Sequence, residues 1–152
     1  MTIIDLLKAL LFESVAKLYA NDFYLIHRGG MELACKFRVA MYIQEMLNYD
    51  PRFKMWRYYN VDCEYNKSAY GTKHIPGREC HIQTDLNLHI RGTDEYNLLT
   101  VEFKLDDGDA GADIHKLEQL THPDGQYRYA LGCFVKIGFD GPKYTLVIDG
   151  KI

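Results

Sequence analysis

The chain has 152 residues, of which 47% are apolar and 26% charged, a balance that fits one globular domain able to bury its own core. The formal charge of −3 argues against extensive non-specific phosphate binding, although a local basic patch can coexist with an acidic total. No apolar run approaches the length of a membrane span, so no membrane partner is expected.

The elements, taken in chain order, begin with helical spacing from Thr2 to Tyr19, where Leu7, Leu10, Leu11, Val15 and Leu18 share a side. The stretch Ile3 to Leu11 carries charges and no small-residue cleavage pattern follows it, so it reads as an amphipathic helix and not a signal peptide. Asn21-Asp22 and Gly29-Gly30 punctuate the next boundary. A second helix is expected from Met31 to Leu47, with Leu33, Phe37, Ala40, Met41 and Met46 apolar among Lys36, Arg38, Gln44 and Glu45. Asn48 to Pro51 ends it. Alternation of Tyr59, Val61, Cys63 and Tyr65 predicts a strand over Tyr58 to Tyr65, and the polar run Asn66 to Gly77 a loop.

Two strand-like runs follow, Thr84 to Arg91 and Leu98 to Leu105. Side chains alternate between faces, so Glu102 and Lys104 share one face with Leu98 and Thr100, while Leu99, Val101, Phe103 and Leu105 take the other. A two-residue turn at Thr93-Asp94 pairs Gly92 with Glu95, and the same register carries back to pair Asp85 with Glu102. Opposed Cβ atoms lie about 4.5–5.5 Å apart, and two carboxylates at that range repel unless a cation or proton stands between them. With Lys104 alongside, a divalent metal site is the simplest account. Beyond it, Asp106 to Gly111 reads as a loop, Ala112 to Thr121 as a helix and His122 to Gly125 as a turn. Tyr127 to Phe139 reads as a long buried strand, Asp140-Gly141-Pro142 as a turn and Tyr144 to Ile148 as a last strand. The sum is a single α/β (α+β) domain over 1–152, with a mixed central sheet flanked by helices.

Asp, a variable gap, then Glu-x-Lys on adjacent strands resembles the signature of the PD-(D/E)XK nuclease superfamily. Asp85, Glu102 and Lys104 carry the match, Thr84 stands where that signature has proline, and the likeness covers Val61 to Gln119. The resemblance implies a restriction-endonuclease-like fold and a metal-dependent nuclease acting on nucleic acid, with DNA as the favoured substrate. Asp85, Glu102 and the backbone carbonyl of Phe103 would offer hard oxygen ligands to Mg²⁺ or Mn²⁺, and Lys104 would orient or deprotonate the attacking water. Glu32 is a third carboxylate for the metal or simply a favourable charge in the first turn of a helix. Lys116 and Gln119 are phosphate contacts on the following helix or ordinary solvated side chains, and Arg91 meets a phosphate or braces the turn. Asp62 and Glu64 share a strand face that reads as surface, or as one from which a single carboxylate helps the site.

Phe53 to Tyr59 interleaves basic and aromatic side chains, a mixture that binds unstacked bases or in part fills a core. The histidines lack metal-motif spacing, which excludes a zinc hydrolase. Cys35, Cys63, Cys80 and Cys133 form no C-x-x-C pair and read as buried free thiols, consistent with a reducing cytoplasm. The small size predicts a homodimer or a partner protein to complete recognition. Two other classes remain open: a catalytically inactive nuclease-like fold serving as an interaction or regulatory module, and a metal-dependent hydrolase of nucleotides or other phosphate substrates.

Overall fold

The computed structural model describes residues 1–77, 81–105 and 107–152; Cys80 and Asp106 lie outside the described residues. Helix α1 spans Ile3–Asn21 and starts at a capping box in which Thr2 and Asp5 satisfy each other's backbone N–H. A short helix α2, Phe23–Arg28, occupies the expected break, and α3 runs Glu32–Tyr49. The aromatic-rich stretch is a 3₁₀ helix, Pro51–Trp56, that buries Phe53 and Trp56 and leaves Met55 and Tyr58 exposed. It therefore divides its rings between core and solvent.

Strand β1 is Asn60–Tyr65, and the expected loop after it holds a two-stranded ribbon of β2 (Lys67–Ser68) and β3 (Gly71–Thr72). Then come β4 (Thr84–His89), β5 (Leu99–Lys104), α4 (Gly111–Thr121), β6 (Leu131–Gly138) and β7 (Gly141–Val147). The fold is α+β: a five-stranded sheet in the order β1-β4-β5-β6-β7, antiparallel throughout except for the parallel β5–β6 pair. The crossover that a parallel pair needs is supplied by α4.

One sheet face carries Leu86, Leu88, Leu99, Val101, Phe103, Leu131, Cys133, Val135 and Ile137 into the main core with α1 and α3. Each such buried side chain contributes about 1.5–3 kcal/mol. On the other face α4 packs Leu117 against Phe134 and Val147. Gly132 permits that approach, because a Cβ there would stand 3.0 Å from Thr121 and 3.3 Å from Leu117.

Three expectations need correction. The strand expected from Tyr127 begins only at Leu131. Arg128 has φ +44, and Tyr129 donates its N–H to the Leu120 carbonyl instead of a ladder. Tyr127 and Tyr129 thus enter a second small core with Ile75, Ile82 and Leu120. Here Lys73 is 1% exposed, donates to the Tyr129 hydroxyl at 2.7 Å and lies over the rings of Tyr65, Tyr127 and Tyr129. Burial pushes its ammonium down to about 8.

The β4–β5 connection is the second correction. It is a nine-residue excursion, 90–98, in place of a tight turn. Buried Asn97 holds it inward by donating to the Tyr127 and Asp94 carbonyls. Third, the last hairpin turns at Phe139-Asp140, with Gly138 paired to Gly141 at φ +120, so Pro142 already lies in β7.

Candidate active site

The β4–β5 register pairs Leu86 with Val101, Asn87 with Thr100 and Leu88 with Leu99. Continued one step, that register would set Asp85 opposite Glu102, but the paired residues end at Leu86 and Val101. Past that point the strands part: Asp85 Oδ2 accepts the Phe103 N–H at 2.7 Å, so a carboxylate takes a place that a ladder carbonyl would hold. Asp85 is thereby fixed to the strand that carries Glu102.

Glu102 is 4% exposed, and burial pushes its carboxyl up to about 8; Lys116 opposes that rise, and Asp85 and Asp113 add to it. Lys116 Nζ stands 2.7 Å from Glu102 Oε1, an oxygen that otherwise has no hydrogen-bond partner among the described residues. Two further buried atoms on the same face, Asn87 Nδ2 and Thr100 Oγ1, also lack hydrogen-bond partners among the described residues. Asn87 and Thr100 face each other across the ladder beside Glu102. The strip under α4 is therefore buried, polar and incompletely satisfied, a costly arrangement in a metal-free protein.

Lys104 closes β5 on the same side. Its ammonium donates to the Asp109 carbonyl at 3.1 Å and to Asp113 Oδ2 at 3.3 Å. Asp113 also lies 3.6 Å from Lys116, so Lys104, Asp113, Lys116 and the Glu102 carboxyl form one polar chain at the first turns of α4. Lys116, read as a phosphate contact or an ordinary solvated side chain, is 14% exposed along its side chain and directed to Glu102 and to the Gln83 carbonyl.

The other expected residues fall elsewhere. Glu32 accepts the Leu105 N–H at 3.3 Å, tying the start of α3 to the end of β5. It completes no metal cluster: among the described residues, no three His, Cys, Asp or Glu side chains stand close enough to hold one ion. Gln119 lines a separate cavity of about 380 Å³ with His74, Ile75, His122 and Tyr127. Arg91 lies past the far end of β4, where it pairs through Nε and Nη2 with Asp62, which also holds buried His89 at 2.9 Å. His89 is four residues from Asp85, about 13 Å along a strand. Burial lowers the His89 imidazole below its ordinary value despite Asp62, so it stays neutral near pH 7.

Glu64 was read first as a surface residue and Lys36 was given no role, yet both meet Asp85 or its partner. Lys36 is 4% exposed, donates to Asp85 Oδ1 at 2.6 Å and also donates to Glu64. Burial works against its charge, but the bonds to Asp85 and Glu64 outweigh that and raise it above its ordinary value. Glu64 adopts φ +56, an uncommon conformation for a residue with a Cβ, and also accepts from Gln83. A signal was present: Lys36, Val39, Ile43 and Met46 follow helical spacing, so Lys36 sits in phase with the buried stripe of α3.

The donor set fits a hard divalent cation. It offers two carboxylates, and Glu102 presents a buried oxygen with no hydrogen-bond partner of its own among the described residues. Magnesium keeps several waters and needs few protein ligands. No protein-family model, curated protein or solved structure matches the chain, and none of the described helices is long and apolar enough to cross a membrane.

Proposed function

We propose that the chain is a metal-dependent phosphodiesterase of PD-(D/E)XK type, with a restriction-endonuclease-like arrangement of its sheet, hydrolysing nucleic acid and most readily DNA. The observation that carries the reading is the meeting of Asp85 with buried Glu102 where β4 and β5 part, with Lys104 on the same face. Asp85, Glu102 and the Phe103 carbonyl would hold Mg²⁺ or Mn²⁺. When bound, the ion supplies charge neutralisation at the phosphate and acidifies water.

The chain's own residues do the rest. Phe103 N–H orients Asp85. Asp113 steers the ammonium groups of Lys104 and Lys116 toward the carboxylate face, where they can stabilise charge that develops on phosphate oxygens. Lys104, an ammonium beside Asp113, orients the attacking water by donating to it. The exposed stripe Leu33, Phe37 and Met41 on α3 supports a second copy or a partner protein completing recognition. Cys35, Cys63 and Cys133 are free, which supports a reducing, cytoplasmic setting.

One observation favours a second reading, a non-catalytic nuclease-like interaction module: each carboxylate already has an ammonium beside it. Nuclease assays with Mg²⁺ and Mn²⁺ on linear, nicked, branched and single-stranded substrates discriminate the two. Cleavage that disappears in Lys104→Ala supports the enzyme; cleavage that survives assigns the chemistry elsewhere, and no cleavage of any substrate favours the module.

A further inference from the structure

We infer that Lys36 is a resident counter-ion that a divalent cation must displace from Asp85, and that Glu64 receives the displaced ammonium. The inference rests on the metal reading above and adds a control on loading that Asp85, Glu102 and Lys104 alone do not contain. Lys36 is buried on the core-facing stripe of α3, yet its ammonium reaches past the apolar layer to Asp85 Oδ1 at 2.6 Å. The other oxygen of Asp85 accepts the Phe103 N–H. Both Asp85 oxygens are therefore engaged, and a cation approaching this carboxylate meets a fixed positive charge in a poorly solvated place, where repulsion is little screened.

Lys36 does not need to enter water when it is displaced, because Glu64 already shares it. The antiparallel register sets Glu64 across from Asp85 on β1, and its left-handed backbone marks a position held against local preference. Gln83 donates to the other Glu64 oxygen, so the carboxylate is braced on one side and offers the other to Lys36. Displacement is then a shift of one ammonium between two neighbouring carboxylates, not the extraction of a buried charge. A strand of nucleic acid that brings phosphates to the site would favour the same shift by adding negative charge beside the cation.

The test is Mn²⁺ binding, measured by calorimetry or by the paramagnetic signal of free Mn²⁺, on the full chain without nucleic acid. Wild type should bind one ion weakly, and Lys36→Met should bind it at least tenfold more tightly. Glu64→Gln should bind it more weakly than wild type, because Lys36 then stays on Asp85. The double variant Lys36→Met/Glu64→Gln should match Lys36→Met. A double variant that binds less tightly than Lys36→Met makes Glu64 a metal ligand and overturns its role as receiver. Equal affinity in Lys36→Met and wild type overturns the displacement while leaving the metal site intact. Absence of binding in wild type and Lys36→Met alike overturns the metal reading itself. Lys36→Gln, with circular dichroism for each protein, replaces the methionine variant if that one misfolds: tightened binding in the folded substitution supports displacement, and unchanged binding in it refutes displacement.

Discussion

Substituting Glu102 with Gln removes a buried carboxyl whose ordinary value of 4.5 is pushed up to about 8 by burial. Between those two values the folded protein holds a proton there that the unfolded chain releases. Stability from this group is therefore fully present below about pH 4.5 and is lost as pH rises toward 8. The slope is about 1.36 kcal/mol per pH unit, and the whole gap corresponds to a ceiling of roughly 5 kcal/mol. Water that reaches the ionised group in the native state lowers this figure, so a loss of about 2–4 kcal/mol between pH 5 and 8 is expected. Urea unfolding in EDTA at half-unit pH steps measures it. Glu102→Gln should lack this slope and should be more stable than wild type at pH 8, while differing little at pH 5. A wild-type protein whose stability is flat over this range, or a Gln variant with the same slope, would refute a desolvated carboxyl at this position.

Three other perturbations follow from the same geometry. Asp85→Ala leaves the Lys36 ammonium with Glu64 alone and the Phe103 N–H without its acceptor, and should cost about 2–4 kcal/mol in urea unfolding at pH 7; Asp85→Asn, which can still accept that N–H, should cost less. Gly132→Val places carbon against Thr121, Leu117 and Val147, and should destabilise by about 1–3 kcal/mol in urea unfolding. Lys73, with its ammonium pushed from 10.5 down to about 8, binds fewer protons folded than unfolded between those values. Its contribution to stability is present above 10.5 and lost as pH falls through 8, so Lys73→Met should flatten the rise in stability from pH 8 to 10.5 seen by thermal melting.

The Asp85–Glu102 register was legible because one face of β4 and β5 is buried under α3. A one-residue slip would turn Leu86, Leu88, Val101 and Phe103 away from that core. The length of the connection carried no such constraint, since any excursion from 90 to 98 that returns Leu98 to the Leu88 carbonyl keeps the register. Tyr127 and Tyr129 alternate like strand residues, but the backbone turn at Arg128 is a local choice that the pattern of apolar letters does not encode. Lys36 was hidden by its type: a lysine on a helix is ordinarily solvated, and only its phase with Val39, Ile43 and Met46 marks it as facing inward. The role of Lys116 followed from tertiary approach, because Gly132 lets α4 sit close enough for its ammonium to reach Glu102.

The most direct test of the central claim is a crystal of the protein soaked in Mn²⁺, with anomalous scattering recorded at a wavelength where manganese contributes. The account predicts a peak held by Asp85, Glu102 and the Phe103 carbonyl, and the loss of that peak in Glu102→Gln. An ordered site with no peak at saturating Mn²⁺, or a peak bound by other residues, would contradict it.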